Sequence, residues 1–111
     1  MNTIFSYLYR DAGNYKFYNK LVLLGVLRSD QIVSYLNEGT YFIPSEVGMP
    51  DLQPDLFTRD DHIWHEIDSI QCTTEEPSCD LSAHMVIERF RIAKICNWNE
   101  VEVMKRKGVV L

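Results

Sequence analysis

The chain has 111 residues, 46% of them hydrophobic and 24% charged, with a formal net charge of −5. That length holds one core, so a single domain over residues 1–111 is expected, and the hydrophobic content excludes a disordered chain. No apolar run approaches the ~20 residues of a membrane-spanning helix, and the start MNTIFSYLYRD lacks the pattern of a secretory signal, so a cytoplasmic protein without a membrane partner is expected.

Residues 4–9, IFSYLY, alternate Phe5, Tyr7 and Tyr9 with Ile4, Ser6 and Leu8, which predicts a strand. DAGN at 11–14 supplies turn residues, and YKFYNKLVLL at 15–24 completes a hairpin. Ser29 as N-cap, Ile32, Val33 and Leu36 at helical spacing, and Gly39 as a stop predict a short helix. TYFI at 40–43 reads as a short strand that Pro44 ends.

From Pro44 to Asp61 four prolines and glycines interrupt the pattern, so a loop is expected, pinned by Val47, Met49, Leu52, Leu56 and Phe57. HIWHEIDSIQCT at 62–73 alternates as a two-faced strand. Ser78 or Asp80 then caps a long helix to about Asn97, with Leu81, Met85, Ile92, Ile95 and Cys96 on one stripe, widened by Val86, Phe90 and Ala93. A last strand is expected around Val101 and Val103, followed by a solubilising basic triplet at 105–107. The sum is an α+β domain: a mainly antiparallel sheet of four or five strands with two helices packed on one face.

Charge is segregated along the chain. Residues 51–80 hold nine acids against Arg59 alone, a local charge of −8, whereas residues 81–111 carry +3. Nucleic acid is not the expected partner of such a segment, because phosphate binding relies on Lys and Arg. Cys72, Cys79 and Cys96 are odd in number and match no zinc or redox spacing, so free thiols are expected.

The stretch DDHIWHE at 60–66 concentrates the chemistry. His62, His65 and Glu66 would converge on a metal if helical, which makes a small metal-dependent hydrolase or lyase one alternative; in a strand a metal would need His62 with Asp60 or Asp61 from the turn, or His84 from the long helix. A strand instead sends the two histidines to opposite faces, and the spacing matches neither HExxH nor HxxEH. Read as a recognition surface, Trp64 is an aromatic anchor ringed by Asp60, Asp61, Glu66 and Asp68. A second cluster, YRDAGNYK at 9–16, sets Arg10 and Lys16 beside Tyr9 and Tyr15, a candidate site for a nucleotide or other small ligand. It has no phosphate-loop signature.

The runs YRDAGNYK, YFIPSEVGMPDLQ and DDHIWHE, in that order over residues 9–66, resemble those of a family of small bacterial proteins of about this length. The resemblance implies a bacterial or phage origin and a cytosolic setting, and attaches no activity to any residue. The leading expectation is thus a non-enzymatic module that binds a protein partner through Trp64 and the acids from Asp60 to Asp68, in the manner of a phage or mobile-element inhibitor of a defence system. No cofactor is expected, and an open sheet edge leaves room for an oligomer.

Overall fold

The computed structural model describes residues 1–109. Four antiparallel strands, β1 (Asn2–Arg10), β2 (Lys16–Leu23), β3 (Tyr41–Phe42) and β4 (His65–Thr73), form one sheet in the order β2-β1-β4-β3. Two helices follow, α1 (Ala83–Ile95) and α2 (Glu100–Arg106). The α+β architecture is the one expected, although its helices are not all where the sequence pattern puts them.

β1 is central and decides the two sides of the sheet. Thr3, Phe5, Tyr7 and Tyr9 are all fully buried, while the alternate positions Asn2, Ile4, Ser6 and Arg10 are partly exposed. The hairpin to β2 closes as DAGN predicts. Asp11 accepts from Asn14 N–H through its carbonyl and from Tyr15 N–H through its carboxylate, and Asn14 takes the positive φ of 65° that asparagine tolerates.

β4 contains a bulge. Ser6 faces Ser69 and Tyr7 faces Ile67, so Asp68 has no partner of its own on β1. The extra residue re-phases the strand, and Ile67 and Ile70, three apart, both pack toward the core. The regular alternation expected over residues 62–73 therefore breaks twice: at Asp68, and at the start, since the strand begins only at His65.

Three other segments depart from expectation. Residues 29–39 form two separate 3-10 turns, Ser29–Gln31 and Val33–Tyr35, and no α-helix. The β-branched pair Ile32–Val33 is a poor helix former, and the Tyr35 carbonyl accepts the Trp98 indole N–H at 3.2 Å, so tertiary contacts prevail over weak helical spacing. The expected loop opens with a further 3-10 turn, Pro44–Val47, led by its proline. Val101 and Val103 lie in α2 and not in a strand. Glu100 and Glu102 in its first turn and Lys105 and Arg106 in its last suit the helix dipole, and Val103 is buried where Val101 is half exposed.

The cap of α1 is Ser82, whose side chain accepts from Met85 N–H, and neither Ser78 nor Asp80 takes that place. Its buried stripe is Ala83, Val86, Phe90 and Ala93. Ile92 and Ile95, expected in the core, are 51% and 69% exposed.

A chain of aromatic rings joins the layers. Phe42 meets Phe5 at 5.9 Å, Tyr7 at 5.6 Å and Phe90 of α1 at 5.4 Å, and Phe90 meets Trp98 edge-on at 5.5 Å. Trp98 sits in a left-handed turn, Asn97–Asn99, with φ of 50°, 61° and 48°. Such a conformation costs roughly 1–2 kcal/mol per residue, and here it is offset by an indole that is 1% exposed and hydrogen-bonded. Phe42 is the hub of this chain. Phe42→Ala is expected to lower unfolding free energy by about 3–5 kcal/mol, measured by urea denaturation, whereas Ile95→Ala on the solvent side of α1 should change it by less than about 1 kcal/mol.

Candidate functional site

The stretch 60–66 wraps around Tyr9. The Tyr9 hydroxyl donates to Asp61 Oδ1 at 2.6 Å and accepts from His62 N–H at 3.2 Å. Asp61 Oδ2 accepts from the Thr58 N–H at 2.8 Å and the Thr58 hydroxyl at 3.1 Å. The bond from Tyr9, followed by those from Thr58, holds the Asp61 carboxyl below its usual range. Burial first, and then the bond to Asp61, raises the Tyr9 phenol.

Both histidine rings lie against Tyr9, with centroids at 5.0 Å for His62 and 5.3 Å for His65. This replaces the expectation of opposite faces, because His62 precedes the strand and follows no alternation. Each ring is nonetheless committed to backbone. His62 Nδ1 accepts from Trp64 N–H at 3.0 Å and Nε2 donates to the Arg10 carbonyl at 2.6 Å. His65, fully buried, accepts the Leu52 N–H on Nε2 at 2.9 Å and donates from Nδ1 to the Ile63 carbonyl at 3.3 Å.

A metal ion would need the lone pairs that these two N–H groups occupy. Among the described residues no three His, Cys, Asp or Glu side chains are grouped to hold one. The third histidine, His84, is exposed on α1. Glu66 points elsewhere, to the sheet face opposite the core.

Burial pushes the His65 imidazole down to about 4, with the nearby Asp51 carboxylate only partly opposing. It is therefore neutral at pH 7, with one lone pair to receive the loop. Other tethers on that loop are Tyr7 Oη donating to the Pro50 carbonyl at 2.6 Å, and the ion pair of Lys107 with Asp51 at 2.9 Å. The triplet 105–107 is thus no free tail: Lys105 and Arg106 close α2, and Arg106 also reaches Glu46 at 3.2 Å.

The remaining sequence candidates separate. Trp64 turns inward and meets Trp98 edge-on at 6.5 Å, so no ring of acids surrounds it. Glu66 lies on the outer sheet face, paired with Arg10 Nε at 3.1 Å. Asp68, at the bulge, accepts from the Ser6 hydroxyl at 3.1 Å. Asp60 is exposed beside the hairpin, its carbonyl receiving Ala12 N–H.

The acid-rich segment is consequently not one patch. Asp60 and Asp61 precede β4, Glu75, Glu76 and Asp80 follow it, and a nine-residue strand spans roughly 30 Å. Asp51, Asp61 and Glu66 are each already engaged by Lys107, Tyr9 and Arg10. All three cysteines are free thiols.

The tyrosines of the second cluster also part company. Tyr9 is buried on the core side, Tyr15 is 73% exposed at the hairpin tip, and Arg10 and Lys16 share the outer face. Clefts on the described residues include a polar groove of about 520 Å³ beside Asn97 and Asn99, an apolar one of about 120 Å³ between Phe57, Trp64 and Met104, and one of about 570 Å³ between Leu21, Gly48 and Arg89. Tyr9, Arg10, Tyr15 and Lys16 line none of these three.

The outer sheet face is what the site readings missed. Lys16, Tyr18 and Lys20 project from β2 beside Arg10, Leu8 and Ser6 of β1, and Glu66 and Ser69 of β4 continue the same face, with Tyr41 of β3 opposite Glu66. Tyr18 is 59% exposed, and Leu8 lies between Tyr18 and Glu66 in the register. The signal was in the sequence, as Lys16, Tyr18 and Lys20 recur with the period of a strand. No family model, curated protein or solved structure matches this chain, and no helix is long and apolar enough to cross a membrane among the described residues.

His65 binds its extra proton at about 4 when folded and near 6.5 when unfolded. Between these values the unfolded chain holds more protons, so its contribution is complete above pH 6.5 and is lost as pH falls toward 4, by on the order of 3 kcal/mol. Urea unfolding from pH 7 to pH 4.5 should register most of that fall, and His65→Gln should flatten it; equal slopes in the two proteins would refute a neutral buried imidazole. Tyr9→Phe leaves Asp61 Oδ1 and His62 N–H without their partner and should cost about 1–3 kcal/mol by the same measurement at pH 7.

Proposed function

We propose that the protein is a cytoplasmic, non-enzymatic protein-binding module whose working surface is the outer face of the sheet. The observation that carries this reading is the one-sidedness of the fold. The aromatic core and α1 lie on one side of β1, and the opposite side presents Lys16, Tyr18, Lys20, Arg10 and Glu66 to solvent. Tyrosine and arginine beside partly buried apolar groups are what interface centres are made of.

Four residues from the two sequence clusters, Arg10, Lys16, Glu66 and Asp68, belong to this surface. Trp64, Tyr9, Asp61, His62 and His65 serve the fold beneath it. Occupying a bacterial defence protein, as an inhibitor does, is one task that such a small rigid surface suits.

A photo-crosslinking residue at position 18 tests the reading against the other apolar surface, the Ile92 and Ile95 side of α1. A discrete adduct from position 18 in cells of the source, with none from position 95, is the expected result. Adducts only from position 95 would move the interface to α1 and end the sheet-face proposal.

A further inference from the structure

β2 is an edge strand, and part of its edge is already closed. Val22 N–H donates to the Ser78 hydroxyl at 2.8 Å and its carbonyl accepts Ser78 N–H at 3.0 Å, while Leu24 exchanges backbone bonds with Leu81 and Ala83. Both polar groups of Val22 therefore point away from β1. By the alternation of an antiparallel pair, those of Lys20, Tyr18 and Lys16 point the same way. The hairpin confirms this phase, since Tyr15, one residue before Lys16, takes the Asp11 N–H on its carbonyl.

Beyond Ser78 nothing continues the cover. Among the described residues, no backbone or side-chain group hydrogen-bonds the outward N–H and C=O groups of Lys16, Tyr18 and Lys20. Three donors and three acceptors thus form an open strand edge five residues long. The side chains at these positions all stand on the outer face, with Lys16 and Lys20 on either side of Tyr18, roughly 13 Å from one lysine to the other.

The charges select among occupants. A second copy pairing antiparallel about Tyr18 would set Lys16 opposite Lys20 twice, and like charges directly opposite are destabilising. Acids opposite both lysines reverse the sign of each contact. An apolar residue between them meets Tyr18, which is 59% exposed.

Resting on the protein-binding reading above, we propose that the open edge of β2 takes an extended acidic segment of a partner protein as a fifth strand. Its side chains opposite Lys16, Tyr18 and Lys20 would be acidic, apolar and acidic, at every second residue.

The test is an amide-resolved NMR titration of the full chain with a capped peptide, Thr-Glu-Thr-Val-Thr-Glu-Thr, and with its lysine counterpart. The expected result is a saturable shift and slowed hydrogen exchange of the Lys16, Tyr18 and Lys20 amides with the glutamate peptide. Lys16→Glu with Lys20→Glu should weaken that peptide at least about tenfold and admit the lysine peptide, both sites being exposed and harmless to the fold. Equal response to both peptides, shifts confined to other surfaces, or slowed exchange at these amides that depends on protein concentration without peptide would each overturn the proposal. A position-18 adduct together with peptide failure would sink the fifth strand and leave the sheet-face module standing.

Discussion

A neutral imidazole at the start of β4 is the constraint from which the rest of the arrangement follows. His65 is fully buried between Tyr9, Tyr7 and Phe42, where a charged ring would be costly. Kept neutral, it can accept the Leu52 N–H and so hold a long irregular segment, from Gly48 to Trp64, against the sheet. Tyr7 and Tyr9 contribute their hydroxyls to the same task from the adjacent strand. Three successive inward-facing polar aromatics thus replace the backbone ladder that a loop of this length lacks.

The separation of charge along the chain has a matching spatial logic. Acids in the first part of the loop meet bases at and just past the end of α2: Glu46 pairs with Arg106, and Asp51, whose side chain is only 10% exposed, pairs with Lys107. The Asp51–Lys107 pair is the more sheltered of the two and is less weakened by solvent, though it also carries a desolvation cost. The basic end of the sequence is therefore docked on the start of the loop through Glu46 and Asp51, while the other acids of residues 51–80 lie elsewhere. A charge tally by segment cannot distinguish that from an acidic patch with a basic tail.

What was legible in the sequence follows the strength of local signals. β1 and β2 were readable because period-two aromatics flank turn residues, and α1 because its apolar positions run long enough to exclude a strand. α2 was misread because Val101 and Val103 alternate with acids over only four residues, too few to separate the two periods, although acids first and bases last already pointed to a helix. The turn Asn97–Asn99 left no readable mark, since a tryptophan in left-handed backbone is held there by tertiary burial. In the candidate site, the sequence located the dense stretch 60–66 but not its role, because hydrogen bonds from ring nitrogens to distant backbone depend on where Arg10 and Leu52 come to lie.

The sheet order also sets a schedule for the growing chain. β2 follows its partner β1 after a five-residue connection, so this hairpin can close as soon as both strands are made. The other neighbour of β1, β4, is encoded more than fifty residues later. During the interval the β4-facing edge of the future central strand has no partner, and the inward side chains Phe5, Tyr7 and Tyr9 lack most of the core that buries them. A nascent chain of this design is vulnerable to association for as long as the ribosome takes to reach Thr73, and chaperone dependence would be concentrated in that window.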